Sequence, residues 1–163
     1  MSQQIPLRAC FSTALAVFLC SCGPQHPPPA GFVDACYGGD SAKNLNGATP
    51  KFTMTIQARE DQWPLLAQRF QEFGAAHNLQ YFDTSVKAPG LHMLNVHLCT
   101  PKGLWLSADK RVWDGGPKDV EPNQMPVYLY RYGDYLDWEG IARDLEESFR
   151  DWPGTVESHW SER

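Results

Sequence analysis

A chain of 163 residues with a net charge of −5 has room for one hydrophobic core and not for two once a targeting segment is set aside. Six tryptophans argue for a packed domain and against a disordered tail. The charge is uneven: Trp113 to Arg163 holds twelve acidic residues against five basic, a balance of −7, whereas Cys22 to Val112 holds eight basic against seven acidic. Nucleic acid is excluded as a partner for such a surface, because binding it means neutralising phosphates with Lys and Arg.

In chain order, the first feature is a targeting segment. Arg8 gives a small positive region, and Ala9 to Leu19 is an uncharged, mostly apolar run, long enough for a signal peptide and too short to span a bilayer. Gly23-Pro24 and Pro27-Pro28-Pro29 rule out a helix continuing into the domain. Between them, Leu19-Cys20-Ser21-Cys22 resembles the lipobox of a bacterial lipoprotein: an aliphatic residue, a variable one, a small one, then the acylated cysteine. The resemblance implies that residues 1–21 are a signal peptide, that Cys22 is lipidated, and that the chain is anchored in the bacterial envelope, in the outer membrane facing the periplasm. Cys20 is the poorer acylation site, since Leu19 precedes it. Buried acyl chains contribute about 0.8 kcal/mol per methylene, so several of them anchor a protein that one would not. Residues 22–31 then form a tether; Gly23 to Gly31 carries four prolines, which keep it extended over roughly 25 Å.

Of five cysteines, Cys10 and Cys20 leave with the signal peptide and Cys22 takes the lipid. Cys36 and Cys99 remain. In an oxidising periplasm the first reading of such a pair is a disulfide. The alternative makes Cys99 a nucleophile with His97 as its base, since residues two apart on a strand share a face.

The domain is expected over residues 32–163. Phe32 to Tyr37 reads as a short arm, and Gly38 to Pro50 as a polar loop whose glycine pair lacks the lysine ending of a phosphate loop. Phe52 to Gln57 alternates strictly, with Phe52, Met54 and Ile56 opposed to Thr53, Thr55 and Gln57, the pattern of a strand with one buried face. Asp61 is a candidate N-cap, and Trp63, Leu66, Phe70 and Phe73 predict an amphipathic helix ending near Asn78. Leu79 to Thr84 predicts a strand and Lys87 to Gly90 a turn. Two more strands follow, Leu91 to Cys99 and Leu104 to Ser107, joined by a turn at Thr100 to Gly103. Asp109 to Met125, with Gly115-Gly116-Pro117, is expected to be a long irregular loop. Val127 to Tyr132 alternates again, with Tyr128, Tyr130 and Tyr132 on one face. Asp137 is a candidate cap for a second helix, in which Trp138, Ile141, Leu145, Phe149 and Trp152 keep spacings of three and four. Thr155 to Trp160 predicts a last strand.

Two strand–helix–strand units with an extra hairpin between them predict an α+β sandwich, both helices on the dry face of a mostly antiparallel sheet. The pattern resembles the ferredoxin-like plaits with an insertion, and a fold pattern carries no function with it. His92 and His97 lie five apart on one strand and point to opposite faces, so no local metal site follows. No spacing calls for a cofactor. The acidic second helix, with Glu146 and Glu147 read as outward, offers a negative field to a basic partner. On the sheet face away from the helices, Asn95, His97, Trp105, Tyr128 and Tyr130 are the candidate binding residues, since aromatic rings with polar handles supply contact area and hydrogen bonds. The sequence therefore points to a membrane-anchored binding module for a protein partner, an envelope accessory or an immunity-type inhibitor; a hydrolase using His97 and Cys99 is the alternative.

Overall fold

The fold is that of a computed structural model, which describes residues 29–37, 49–113, 123–132 and 135–161. The signal segment, Cys22, most of the tether, the polar loop at 38–48 and the stretch 114–122 lie outside the described residues. Along the chain come α1 (Phe32–Tyr37), β1 (Phe52–Gln57), a 3-10 turn (Glu60–Gln62), α2 (Trp63–Ala76), β2 (Gln80–Asp83), β3 (Val86–Ala88), β4 (Leu91–Thr100), β5 (Leu104–Trp113), β6 (Gln124–Arg131), α3 (Trp138–Ser148) and β7 (Val156–Trp160).

The seven strands form one sheet in the order β2-β4-β5-β6-β1-β7, with β3 pairing β4 beyond the end of β2. Every pairing is antiparallel. It follows that β1 and β2 run the same way, joined by α2, and that β6 and β7 run the same way, joined by α3. These are two interleaved strand–helix–strand units, the ferredoxin-like arrangement, and the β4–β5 hairpin is wedged between β6 and β2. The fold is α+β as the alternating and helical periodicities require.

Both helices pack on the face that carries Phe52, Met54 and Ile56. Trp63, Leu66, Phe70 and Phe73 of α2 and Ile141, Ala142 and Leu145 of α3 join those residues and Leu98, Leu104, Leu106, Val127 and Leu129 in one core. Gly74 lets α2 approach the sheet: a Cβ there would sit 2.7 Å from Leu98 Cδ2. The helix ends where Asn78 takes φ 54°, with Leu79 N donating to Gly74 O at 2.9 Å, a Schellman-type stop that satisfies a terminal carbonyl.

Four expectations are corrected. Asp61 does not cap α2; it sits inside the 3-10 turn and pairs with Arg59 (2.9 Å), while Gln62 occupies the cap position. Asp137 stands at the N-cap of α3 but makes no capping hydrogen bond. Lys87 and Ala88 belong to β3, so the turn is reduced to Pro89 and Gly90, where Gly90 adopts φ 83°, a conformation glycine takes without penalty. The irregular loop does not begin at Asp109: β5 continues to Trp113 because the ten-residue β4 needs a partner along its whole length, Leu91 lying opposite Trp113. At its other end the loop gives way to β6 from Gln124.

Candidate functional site

The sheet face away from the helices is set by register. Tyr128 lies opposite Thr53 of β1 and Ser107 of β5, and Ser107 lies opposite His97 of β4. One step along, Tyr130 is opposite Trp105, which is opposite Cys99. Side chains directly opposite one another share a face. All five candidate binding residues, Asn95, His97, Trp105, Tyr128 and Tyr130, therefore stand on one side of the sheet, and the structure divides them into two groups.

The first group is covered by α1. Pro29 to Gly31 turns into the helix, with Phe32 N donating to Pro29 O (3.0 Å) and Ala35 N to Gly31 O (2.9 Å). The Phe32 ring then meets Phe82, His97 and Trp105 edge-on at centroid distances of 5.3, 5.2 and 5.9 Å. Phe32, Ala35, Cys36, Phe82, Cys99 and Trp105 form a second, smaller core. It is closed covalently: Cys36 and Cys99 are joined, Cα to Cα 4.8 Å. The Tyr132 hydroxyl donates to the carbonyl of Cys36, so this third tyrosine of the alternating run holds the arm down.

His97 is fixed in one protonation state by this packing. Trp105 Nε1 donates to His97 Nδ1 at 3.1 Å, which makes Nδ1 the acceptor and leaves the ring proton on Nε2. That proton points toward Thr84 Oγ1 at 3.5 Å, whose own hydroxyl donates to Asn95 O at 3.2 Å. Enclosure pushes the imidazole pKa down to about 4, against a weaker upward pull from Asp83. Cys99, in its disulfide, offers no thiol for His97 to activate, and His97 turns its acceptor nitrogen to an indole. The pairing of base and nucleophile on which the hydrolase alternative rested is thus not assembled.

The second group stays open among the described residues. Tyr128, Tyr130 and Asn95 are half-exposed, with the two tyrosine rings 6.2 Å apart. Thr53 and Thr55 of β1 extend the patch on one side, and Asp109, opposite Asn95, on the other. Burial, the Tyr128 neighbour and Asp109 raise the Tyr130 hydroxyl above its ordinary pKa, so it is a neutral donor at physiological pH. The patch offers ring surface, hydroxyls, one amide and one carboxylate, which is the chemistry of contact.

The acidic helix differs from its sequence reading at one residue. Glu146 is half-buried and accepts a hydrogen bond from Ser158 of β7, so it belongs to the packing of α3 on the sheet; Asp144 and Glu147 are exposed. Among the described residues no three His, Cys, Asp or Glu side chains converge to hold a metal, and no helix is long and apolar enough to cross a membrane. Periodicity could not have found the His97–Trp105 hydrogen bond or the sealing role of Phe32, because both depend on where a separate segment lands. Compared with protein-family models, curated proteins and solved structures, the chain gives no match.

Proposed function

We propose that this chain is a lipid-anchored protein of the bacterial envelope, acylated at Cys22, whose single domain binds a protein partner in the periplasm without catalysing a reaction. The observation that carries the binding reading is the divided outer face. Its β4–β5 end is sealed by the arm that follows the tether, while Tyr128, Tyr130, Thr53 and Thr55 are uncovered among the described residues. Tyrosine is among the residues that dominate interface energies, because its ring supplies area at low conformational cost while its hydroxyl keeps a hydrogen bond. The joined cysteines support an oxidising compartment. Bolting the arm to β4 also fixes where a tether enters the domain, so a pull on the lipid is transmitted to a central strand and not to a six-residue helix held by side chains alone.

The anchor is tested by Cys22→Ala. The variant is expected to lose incorporation of labelled palmitate and to move from the membrane fraction to the soluble one, with its near-ultraviolet circular dichroism unchanged because no core residue is touched. Palmitate label retained on Cys22→Ala would remove the anchor from the account.

A further inference from the structure

Between the first turns of α2 and the edge of the sheet lies a cleft of about 280 Å³, lined by Trp63 and Ala67 of α2, Val86 of β3 and Leu94 of β4. Three features bear on what it takes. The outer edge of β3 carries no strand among the described residues, since β3 pairs only with β4. The two-residue turn at Pro89 and Gly90 closes on the pair Ala88 and Leu91, and hydrogen-bonded pairs alternate along an antiparallel ladder; the next pair, Lys87 with His92, therefore directs the N–H and C=O of Lys87 away from the sheet. Trp63 is 8 % exposed, and its indole N–H has no partner among the described residues, an uncommon state for a buried donor. The polar lining is weighted toward acid: Glu60 and Asp83 stand against Lys87, and Glu60 also engages His92 Nδ1.

We propose that this cleft docks an extended segment of a partner protein. The segment adds as a strand to the β3 edge, hydrogen-bonding Lys87 through the backbone, and inserts one large apolar side chain between Trp63, Ala67 and Leu94. A basic residue two positions along the segment, and so on the same face as that side chain, meets Glu60 and Asp83. Strand addition of this kind takes its affinity from main-chain hydrogen bonds and its specificity from the pocket, and the lining supplies both. The site is on the opposite edge of the sheet from β7 and is independent of the tyrosine patch and of the lipid anchor.

The test is a titration of the isotope-labelled full chain with a capped heptapeptide, Thr-Lys-Val-Phe-Thr-Val-Thr, in which Lys and Phe share a face, followed by nuclear magnetic resonance. The expected result is saturable movement of the Lys87 amide and Trp63 indole signals, slowed exchange of the Lys87 amide, and affinity about tenfold lower when the peptide's phenylalanine nitrogen is methylated, the effect of losing one backbone pairing bond. Ala67→Trp, which fills the cleft, is expected to abolish the response, and Ala67→Leu to weaken it should the larger residue unfold the domain. Equal affinity for the methylated peptide would overturn strand addition. Absence of any shift at Lys87 and Trp63, or shifts confined to Tyr128 and Tyr130, would overturn the site.

Discussion

Replacing Cys36 and Cys99 together by alanine is expected to lower the unfolding free energy by on the order of 4 kcal/mol, because the bond closes a loop spanning a sequence separation of 63 and so restricts the unfolded chain. The effect is a loss of stability without a loss of fold. The main core, from Phe52 to Trp152, contains neither cysteine, and the bond touches only the small cluster under α1. Urea unfolding of the double variant should show a lower midpoint, and amide exchange should accelerate in α1 while β1, β4 and β6 stay protected. In the unreduced wild-type chain, unfolded in denaturant, a thiol reagent should label neither residue. Labelling of both, with an unchanged midpoint, would mean that the arm is held by packing alone.

Acid should destabilise the domain through His97. Its folded pKa is pushed down to about 4 by enclosure, below the ordinary histidine value of about 6.5. Above that ordinary value both folded and unfolded chains hold the ring neutral, so the contribution to stability is complete. As pH falls toward 4 the unfolded chain takes up a proton that the folded chain refuses, and stability drops by about 1.4 kcal/mol per pH unit at most, on the order of 3 kcal/mol over the window. The groups that face the ring are Phe32, Trp105, Thr84 and, at longer range, Asp83, and of these only Asp83 favours the protonated form. Unfolding free energies measured between pH 7 and pH 4 should therefore fall in the wild type and flatten in His97→Gln, which keeps an acceptor for the Trp105 indole. Identical slopes in the two proteins would show that some other group governs acid stability.

The parts of the fold that were legible in sequence are those set by local periodicity. Phe52, Met54 and Ile56 alternate because one face of β1 is buried, and Trp63, Leu66, Phe70 and Phe73 recur because one side of α2 meets the sheet; from those two patterns the layered architecture follows. What was not legible depends on partners far along the chain. Asp109 to Trp113 is strand because β4 is long enough to need it, and β3 exists because the Pro89–Gly90 turn folds it back on β4. Glu146 reads as a solvated helix charge until Ser158 is brought beside it. The candidate site divides the same way. Alternation placed Tyr128, Tyr130, Asn95, His97 and Trp105 on one face, but only the landing of Phe32 decides that two of them are sealed and three are open.

The proposed partner is expected to meet the tyrosine patch, which is open among the described residues, and not the acidic helical layer. A photo-crosslinking amino acid placed at Tyr128, and separately at the exposed Asp144 of α3, in the full chain in intact cells distinguishes the two surfaces. A discrete protein adduct is expected from position 128, lost when Tyr130→Ala and Thr53→Arg are added, and none from position 144. An adduct from position 144 with none from 128 would contradict that expectation, as would an adduct from 128 that survives both substitutions.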